Sequence, residues 1–286
     1  MRYPTIALAA AIGALAVAGP GQAGAATRIG ETFPPDYVCD SGSTIVQSDS
    51  LDQQFAAPSA GVITAWSHQA VGSPPAARLK VARPGGGDDF TIVGESALET
   101  LGPGVVNTFP TRIAVRAGDV IGFYFAPAGY VACARVRPGY EDHFLAGDQP
   151  AGTTAAFTPQ SGYELDVSAV LEPDADTDGF GDETQDTCPG QPGATHGCPP
   201  ETTINNAPKK TTAKKKARFA FSSNVPGASF ECSLDGEAFA PCSSPETVKV
   251  KRGKHSFEVR AKDQAGYVDG SPASDNWKVK RKRKRN

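Results

Sequence analysis

The chain has 286 residues, with 28 Lys and Arg, 31 Asp and Glu, six Cys and one Met. That is too long for a disulfide miniprotein and long enough for two or three domains of modest core. With 31 Gly, 24 Pro and 39% hydrophobic residues, the composition suits loop-rich β domains and excludes a multi-span membrane protein or a wholly disordered chain.

The net charge of −3 hides an asymmetry. Residues 1–200 carry 9 basic and 22 acidic side chains, while residues 201–286 carry 19 basic and 9 acidic. An acidic front and a basic back read as different modules with different partners.

The first segment, residues 1–25, reads as a signal peptide. Arg2 precedes an apolar run from Ile6 to Ala18, followed by the helix breakers Gly19, Pro20 and Gly21. Ala23-Gly24-Ala25 offers small residues at signal-peptidase spacing, which puts cleavage after Ala25. The apolar run falls short of the roughly 20 residues that span a bilayer, so no membrane span is expected in the mature chain. The expected location is secreted, either extracellular or cell-wall-associated.

The cysteines are Cys39, Cys133, Cys188, Cys198, Cys232 and Cys242. An even number in a secreted chain reads as disulfides, although six cysteines allow about 15 pairings. The modular division below favours Cys39–Cys133, Cys188–Cys198 and Cys232–Cys242. Zinc is the weaker reading: there is no C-x-x-C pair, and His196-Gly197-Cys198 is too short for two ligands of one tetrahedral ion.

Residues 28–172 alternate apolar and polar in short runs separated by turn residues. Gly61–Trp66, Arg78–Ala82, Phe90–Val93, Val120–Phe125 and Tyr130–Cys133 read as strands, and Pro84–Asp88 as a hairpin turn. Tyr163–Ala169 alternates cleanly, which predicts one core face and one solvent face. About eight strands are expected, in a jelly-roll-like β-sandwich.

Residues 173–200 are different material. Asp174, Asp176, Asp178 and Asp182 stand at positions 1, 3, 5 and 9 of a loop, with Gly179 at position 6. Hard cations need several oxygens at fixed spacing, and a glycine allows the sharp turn between them. Phe180 would lend its backbone carbonyl. Position 12 is Gln185, one neutral oxygen where a bidentate Glu is usual, and Asp186 next to it can complete the shell. The competing reading is a solvated acidic linker, but such linkers seldom set Asp at alternate positions around a Gly. Calcium is the expected ion, because magnesium tolerates irregular cages poorly.

This spacing, followed by Cys188-Pro189, resembles the thrombospondin type 3 repeat over about 17 residues. The resemblance implies a structural calcium site. With one repeat and Gln185 at the twelfth position, the affinity expected is that of an extracellular module, about 10⁻⁴–10⁻³ M.

Residues 201–216 read as a basic linker, with Lys209, Lys210 and Lys214–Lys216. Strand patterns return over 217–279, in about seven short runs. Phe230–Gly236, then Phe239–Cys242, Gly253–Ala261, Asp263–Gly266 and Trp277 resemble, in their order, the immunoglobulin-like repeats of bacterial surface proteins. That resemblance implies a spacer or adhesion role without catalytic residues. Residues 280–286 form a basic tail.

Evidence for an enzyme is thin. No H-E-x-x-H, G-x-S-x-G, phosphate-cradling loop or dinucleotide fingerprint occurs. Glu95, Glu99, Glu141, Asp142 and Glu164 could supply a glycosidase carboxylate pair, but surface acids on a sandwich is the stronger reading. Trp66 and His68 share one side of a strand. They are candidates for a sugar-stacking groove, with packing against each other the weightier alternative. The tail invites anionic cell-envelope polymers, and nucleic acid is not expected because no aromatic residue interleaves the cations. The sequence thus predicts an all-β, non-enzymatic, secreted or wall-associated calcium-binding structural or adhesion protein. The alternative is a carbohydrate-binding module or adhesin using the front sandwich.

Overall fold

A computed structural model describes residues 24–281, apart from residues 52, 73 and 129. Most of the expected signal peptide and basic tail therefore lies outside the described residues. Among the described residues there is no helix, and the chain is all-β.

In chain order the first module holds β1 (Thr27–Glu31), β2 (Tyr37–Asp40), β3 (Ser43–Asp49), β4 (Gly61–Gln69), β5 (Ala77–Pro84) and β6 (Asp89–Glu95). It continues with β7 (Val106–Val115), β8 (Val120–Phe125), β9 (Tyr130–Ala146), β10 (Thr154–Ala156), β11 (Thr158–Leu165) and β12 (Val167–Glu172). A four-stranded sheet in the order β1-β12-β4-β7 faces an eight-stranded one in the order β10-β6-β5-β8-β3-β9-β11, with β2 paired to β9. The main core fills the space between them: Ile29, Ile63, Trp66 and Leu171 from the first sheet meet Ile45, Leu79, Phe123 and Phe125 from the second. A smaller cluster of Val46, Phe90, Ile92, Val120 and Phe157 covers the outer face of the larger sheet. That second layer explains β8, where all six residues are buried: a strand covered on both faces reads as a continuous apolar run.

Twelve strands stand where about eight were expected, and the sandwich is unequal. The largest departure is at Tyr163–Ala169. Instead of one alternating strand, the segment breaks at Asp166 and passes from the larger sheet (β11) to the smaller (β12). Glu164 and Asp166, which alternation assigned to solvent, are both 0% exposed. Glu164 is roofed by Arg135 and Arg137, whose guanidinium groups donate to it at 2.6 and 2.8 Å. Asp166 sits inside the corner between the sheets. Its carboxylate accepts the Phe33 and Gln69 amides, each at 2.9 Å, and lies 2.9 Å from His68 Nδ1.

The second module holds β13 (Thr202–Asn206), β14 (Thr211–Thr212), β15 (Lys216–Ser223), β16 (Ser229–Leu234), β17 (Ala240–Cys242), β18 (Glu246–Lys249), β19 (Gly253–Lys262) and β20 (Ala273–Val279). A three-stranded sheet, β13-β15-β18, packs on a five-stranded one, β14-β20-β19-β16-β17. The stretch read as a linker thus supplies two strands, because Thr202–Asn206 can pair with the open edge of β15 and Thr211–Thr212 with β20. The alternating faces of β15, β19 and β20 converge on Phe219, Phe257 and Trp277. The first two rings stack 4.0 Å apart, and Trp277 meets Phe219 edge-on at 5.2 Å.

Three disulfides join Cys39–Cys133, Cys188–Cys198 and Cys232–Cys242. They fit an oxidising, extracellular environment. No helix among the described residues is long and apolar enough to cross a membrane.

Asp166→Ala would leave the Phe33 and Gln69 amides unanswered inside the corner, while His68 Nδ1 keeps its 2.8 Å bond to the residue 166 carbonyl. Losing one partner of such a buried network costs about 3–5 kcal/mol, to be read as a shift of the denaturant midpoint without a change in slope. A second expectation concerns Asp235 and His255, which meet at 2.8 Å at the Asp235-Gly236 hairpin. The bond from Asp235 raises the His255 pKa against a smaller desolvation effect. Desolvation pushes the Asp235 carboxyl up, but the bonds from His255 and the Ser256 amide outweigh it and hold the carboxyl low. The raised His favours folding below its ordinary value of about 6.5, and this is lost as pH rises through its folded pKa. The lowered Asp favours folding above its ordinary value, and this is lost as pH falls through its folded pKa. Melting of the second module should therefore fall as pH rises above about 6.5, and Asp235→Asn should flatten that fall.

Candidate metal centre

The acidic segment leaves the sandwich at the end of β12 and is held there first of all by Glu172. Its buried carboxylate accepts Thr64 Oγ1 at 2.7 Å, the amides of Glu183 and Thr184 at 3.0 and 2.9 Å, and Thr184 Oγ1 at 2.6 Å. Burial alone would favour the neutral acid. The bonds from Thr184, Thr64 and the two amides overcome it and keep the carboxyl below its usual range. Two further contacts press the loop onto β7. Gln185 Nε2 donates to the Thr111 carbonyl at 2.7 Å, and the Arg112 guanidinium lies 4.1 Å from the Phe180 ring centroid.

Within the loop, one carboxylate oxygen from each of Asp174, Asp176 and Asp178 lies within 4.8 Å of the others. Backbone amides set their orientation. Asp174 accepts from Asp178 and Gly179, Asp176 from Gly190, and Asp178 from Phe180 and Gly193. Gly179, at φ +85°, makes the turn that folds the Asp178 and Gly179 amides back over the Asp174 carboxylate. The Gly190 and Gly193 bonds come from the ring closed by Cys188–Cys198, so the disulfide holds a second set of donors against the aspartates. Gly197 lies against the Asp186 carboxylate at φ +73°, where a Cβ would collide with it.

The electrostatics of the loop are those of crowded acids. Burial, then the charge of Asp178, raises the Asp176 pKa. Burial raises that of Asp174, partly opposed by the Gly179 and Asp178 amides. Asp186 is raised by burial and by the charges of Asp178, Asp176 and Asp182, which brings it into the same field as the trio.

Three buried oxygens in the segment have no hydrogen-bond donor among the described residues: Asp182 Oδ2, Gln185 Oε1 and Asp186 Oδ2. All three are acceptors, and each costs about 1–3 kcal/mol if nothing answers it. A hard cation is what such a donor set fits: several oxygens, carboxylate and amide, with no nitrogen or sulfur among them. The expected ligand residues Asp174, Asp176 and Asp178 are thus brought together. Asp182, Gln185 and Asp186 present orphaned oxygens in the same segment. Phe180 has its amide bonded to Asp178 and its ring under Arg112.

The other expected site residues fall elsewhere. Trp66 is 1% exposed and His68 0%. Trp66 packs on Phe109, and His68 on Phe123 and Phe125, so neither offers a face to a sugar. They share one side of β4, and that side faces the core. Among the carboxylates, Glu95 is held by Arg78 and Lys80, and Glu164 by Arg135 and Arg137. The reading of these acids as surface groups fails for Glu164 and also for Asp142, which is 4% exposed. Sequence reasoning missed Glu172 and Thr184. No motif spacing marks them, although a charged residue closing an apolar strand, two places before the first Asp, is a signal.

Compared with known proteins, the chain matches no family model and no curated protein sequence.

Glu172→Gln would turn an acceptor into a partial donor facing two amides. It should destabilise the loop's seat by about 1–3 kcal/mol and weaken metal binding, although residue 172 is not among the expected ligands. Hydrogen exchange of the Glu183 and Thr184 amides reads the first effect and metal titration the second.

Proposed function

We propose that the chain is a non-enzymatic, secreted or cell-wall-associated structural or adhesion protein whose acidic segment binds calcium at a rigid joint between two β-sandwiches. The observation that carries this reading is the Asp174–Asp176–Asp178 cluster, together with the orphaned oxygens of Asp182, Gln185 and Asp186. Calcium is favoured over magnesium because it accepts six to eight oxygens in irregular geometry, and this loop offers an irregular mixture of carboxylate and amide oxygens. Resemblance to the thrombospondin type 3 repeat and to bacterial immunoglobulin-like modules supports a spacer role for the joint and the second module. The disulfides support an oxidising location. The site is structural in this reading. Calcium would neutralise the mutual repulsion of the aspartates and tie the Glu172-anchored half of the loop to the half closed by Cys188–Cys198. The face of Phe180 and Asp178 also borders Ala265 and Tyr267 of the second module, so ordering the loop orders what leans on it.

The test is calorimetric titration of calcium into chelator-stripped protein, with a melting curve at each end. One saturable event is expected at about 10⁻⁴–10⁻³ M, with magnesium much weaker. At calcium a hundredfold above Kd the folded state gains about 2.7 kcal/mol, seen as a raised melting temperature. Asp176→Ala and Asp178→Ala should each remove both the heat and the shift. No heat and an unchanged melting curve would leave the segment as a solvated linker and end the calcium reading.

A further inference from the structure

A second site is built where β9 turns back on itself. Asp40, at the end of β2, pairs with Tyr130, the first residue of β9; Ser43, at the start of β3, pairs with Ala146, the last. Along a straight strand those two β9 residues would be roughly 50 Å apart, at about 3.3 Å per residue. Only Ser41 and Gly42 separate β2 from β3, a span of about 10 Å. The strand must therefore curl, and it does so at Pro138-Gly139, where Gly139 has φ +88°. Inside the curl lies a cavity of about 250 Å³. Its walls include Tyr37 and Asp40 from β2, Asp142 and Phe144 from β9, and Gln160 and Tyr163 from β11.

The chemistry of the walls is one-sided. Asp142 is 96% buried, and its Oδ1 has no hydrogen-bond donor among the described residues. The Tyr37 and Tyr163 rings lie 4.0 Å apart at 32° and form one aromatic wall. The Tyr37 phenol is pushed up by its hydrogen bond to Tyr163 and by burial, so it stays neutral and can donate or accept. Asp40 stands exposed at the mouth, and no Lys, Arg or His lines the cavity. Every other buried charge of the first module described above has an answering group: Glu164 has its arginines, Asp166 its amides and Glu172 its four donors. Asp142 faces an open cavity instead.

We propose that this cavity binds a small primary ammonium group, seated with its N–H bonds on Asp142 and its carbon stem along the tyrosine rings. A cation of this type meets both demands. It supplies donors to a desolvated carboxylate, and it is attracted to aromatic faces within about 6 Å. A hard divalent ion wants six or more oxygens and gains nothing from ring walls. A neutral hydroxyl could donate to Asp142 but would leave its charge uncompensated. Burial and the neighbouring Glu141 raise the Asp142 carboxyl to about 7, so without ligand it holds its proton well above the ordinary carboxylate range. The titratable groups around it are Glu141 on β9, Asp40 and Tyr37 on β2, and Tyr163 on β11; β3 lends only Ser43 and Ile45 to the cavity. Binding of an ammonium ion should therefore strengthen as pH rises through the Asp142 range.

The experiment is calorimetry of the full chain at fixed calcium with n-butylammonium, n-butanol and methyl glucoside, at pH 5.5 and 8.5. Butylammonium should bind saturably, at least tenfold tighter at pH 8.5, while the two neutral probes should not bind. Asp142→Asn should lose at least tenfold at pH 8.5 while keeping the far-ultraviolet spectrum. Asp40→Asn, at an exposed position where folding is not at stake, should lose a few-fold. An Nα-acetyl-lysine amide distinguishes the source. Tighter binding than butylammonium identifies a lysine side chain of another protein, and equal or weaker binding a free amine; both support the site. No saturable binding by either amine, neutral probes binding as well as the amine, or affinity unchanged in both variants would overturn the proposal.

Discussion

The carboxylate of Glu172 is the joint on which the arrangement of the modules turns. It is one buried negative charge, answered by two hydroxyls and two amides, and its donors come from both sides of the boundary. Thr64 belongs to the sandwich, and Thr184 with Glu183 to the acidic segment. A buried carboxylate without such bonds would be protonated or expelled; with them it fixes the place where the chain leaves the core. Gly181 follows from the same constraint, since a Cβ there would run into Glu172 and Thr64. Once that turn is set, Gln185 reaches Thr111 and Phe180 reaches Arg112, and the aspartates are carried on a seated loop instead of a free tether.

Much of this was legible in the residues. Short alternating runs marked most strands, and the glycine between alternate aspartates marked the loop, because both patterns are local and follow from backbone geometry. The three disulfides followed from the modular division, since each lies within one module. What could not be read depends on contacts between distant parts of the chain. Tyr163–Ala169 alternates like a half-buried strand, but the chain changes sheets at Asp166, so both faces end up covered. Trp66 and His68 sit together on one side of β4, and only the packing of the second sheet over them decides that this side is core. Thr202–Asn206 carries too little apolar character to announce a strand; it is one because β15 offers an unpaired edge. Asp142 looks like any surface acid until β9 is seen to curl around it.

Buried charge is handled in two ways in the first module. Lys80 lies among Glu95, Asp148 and the Gln149 carbonyl, and Asp119 takes a two-pronged bond from Arg83 at 2.8 Å. Such groups are internally balanced, so their role ends with the fold. At Asp142 and in the acidic segment no described residue supplies the balance, and that is what makes them candidate sites. Both candidate sites thus follow from one rule, that a carboxylate oxygen removed from water must find a donor or a cation.

The pairing of β1 with β12 has a mechanical consequence. Thr27 and Leu171 are register partners in an antiparallel ladder, so the chain enters and leaves the first sandwich side by side on one edge of a sheet. A pull applied between Thr27 and the acidic loop would load that ladder one rung at a time, peeling β1 from β12 instead of shearing all five pairs together. Peeling takes far less force than shear, and the bond from the Ala26 amide to Glu183 is the first to open. Force between those two points therefore reaches the large disulfide-locked core only after β1 has gone.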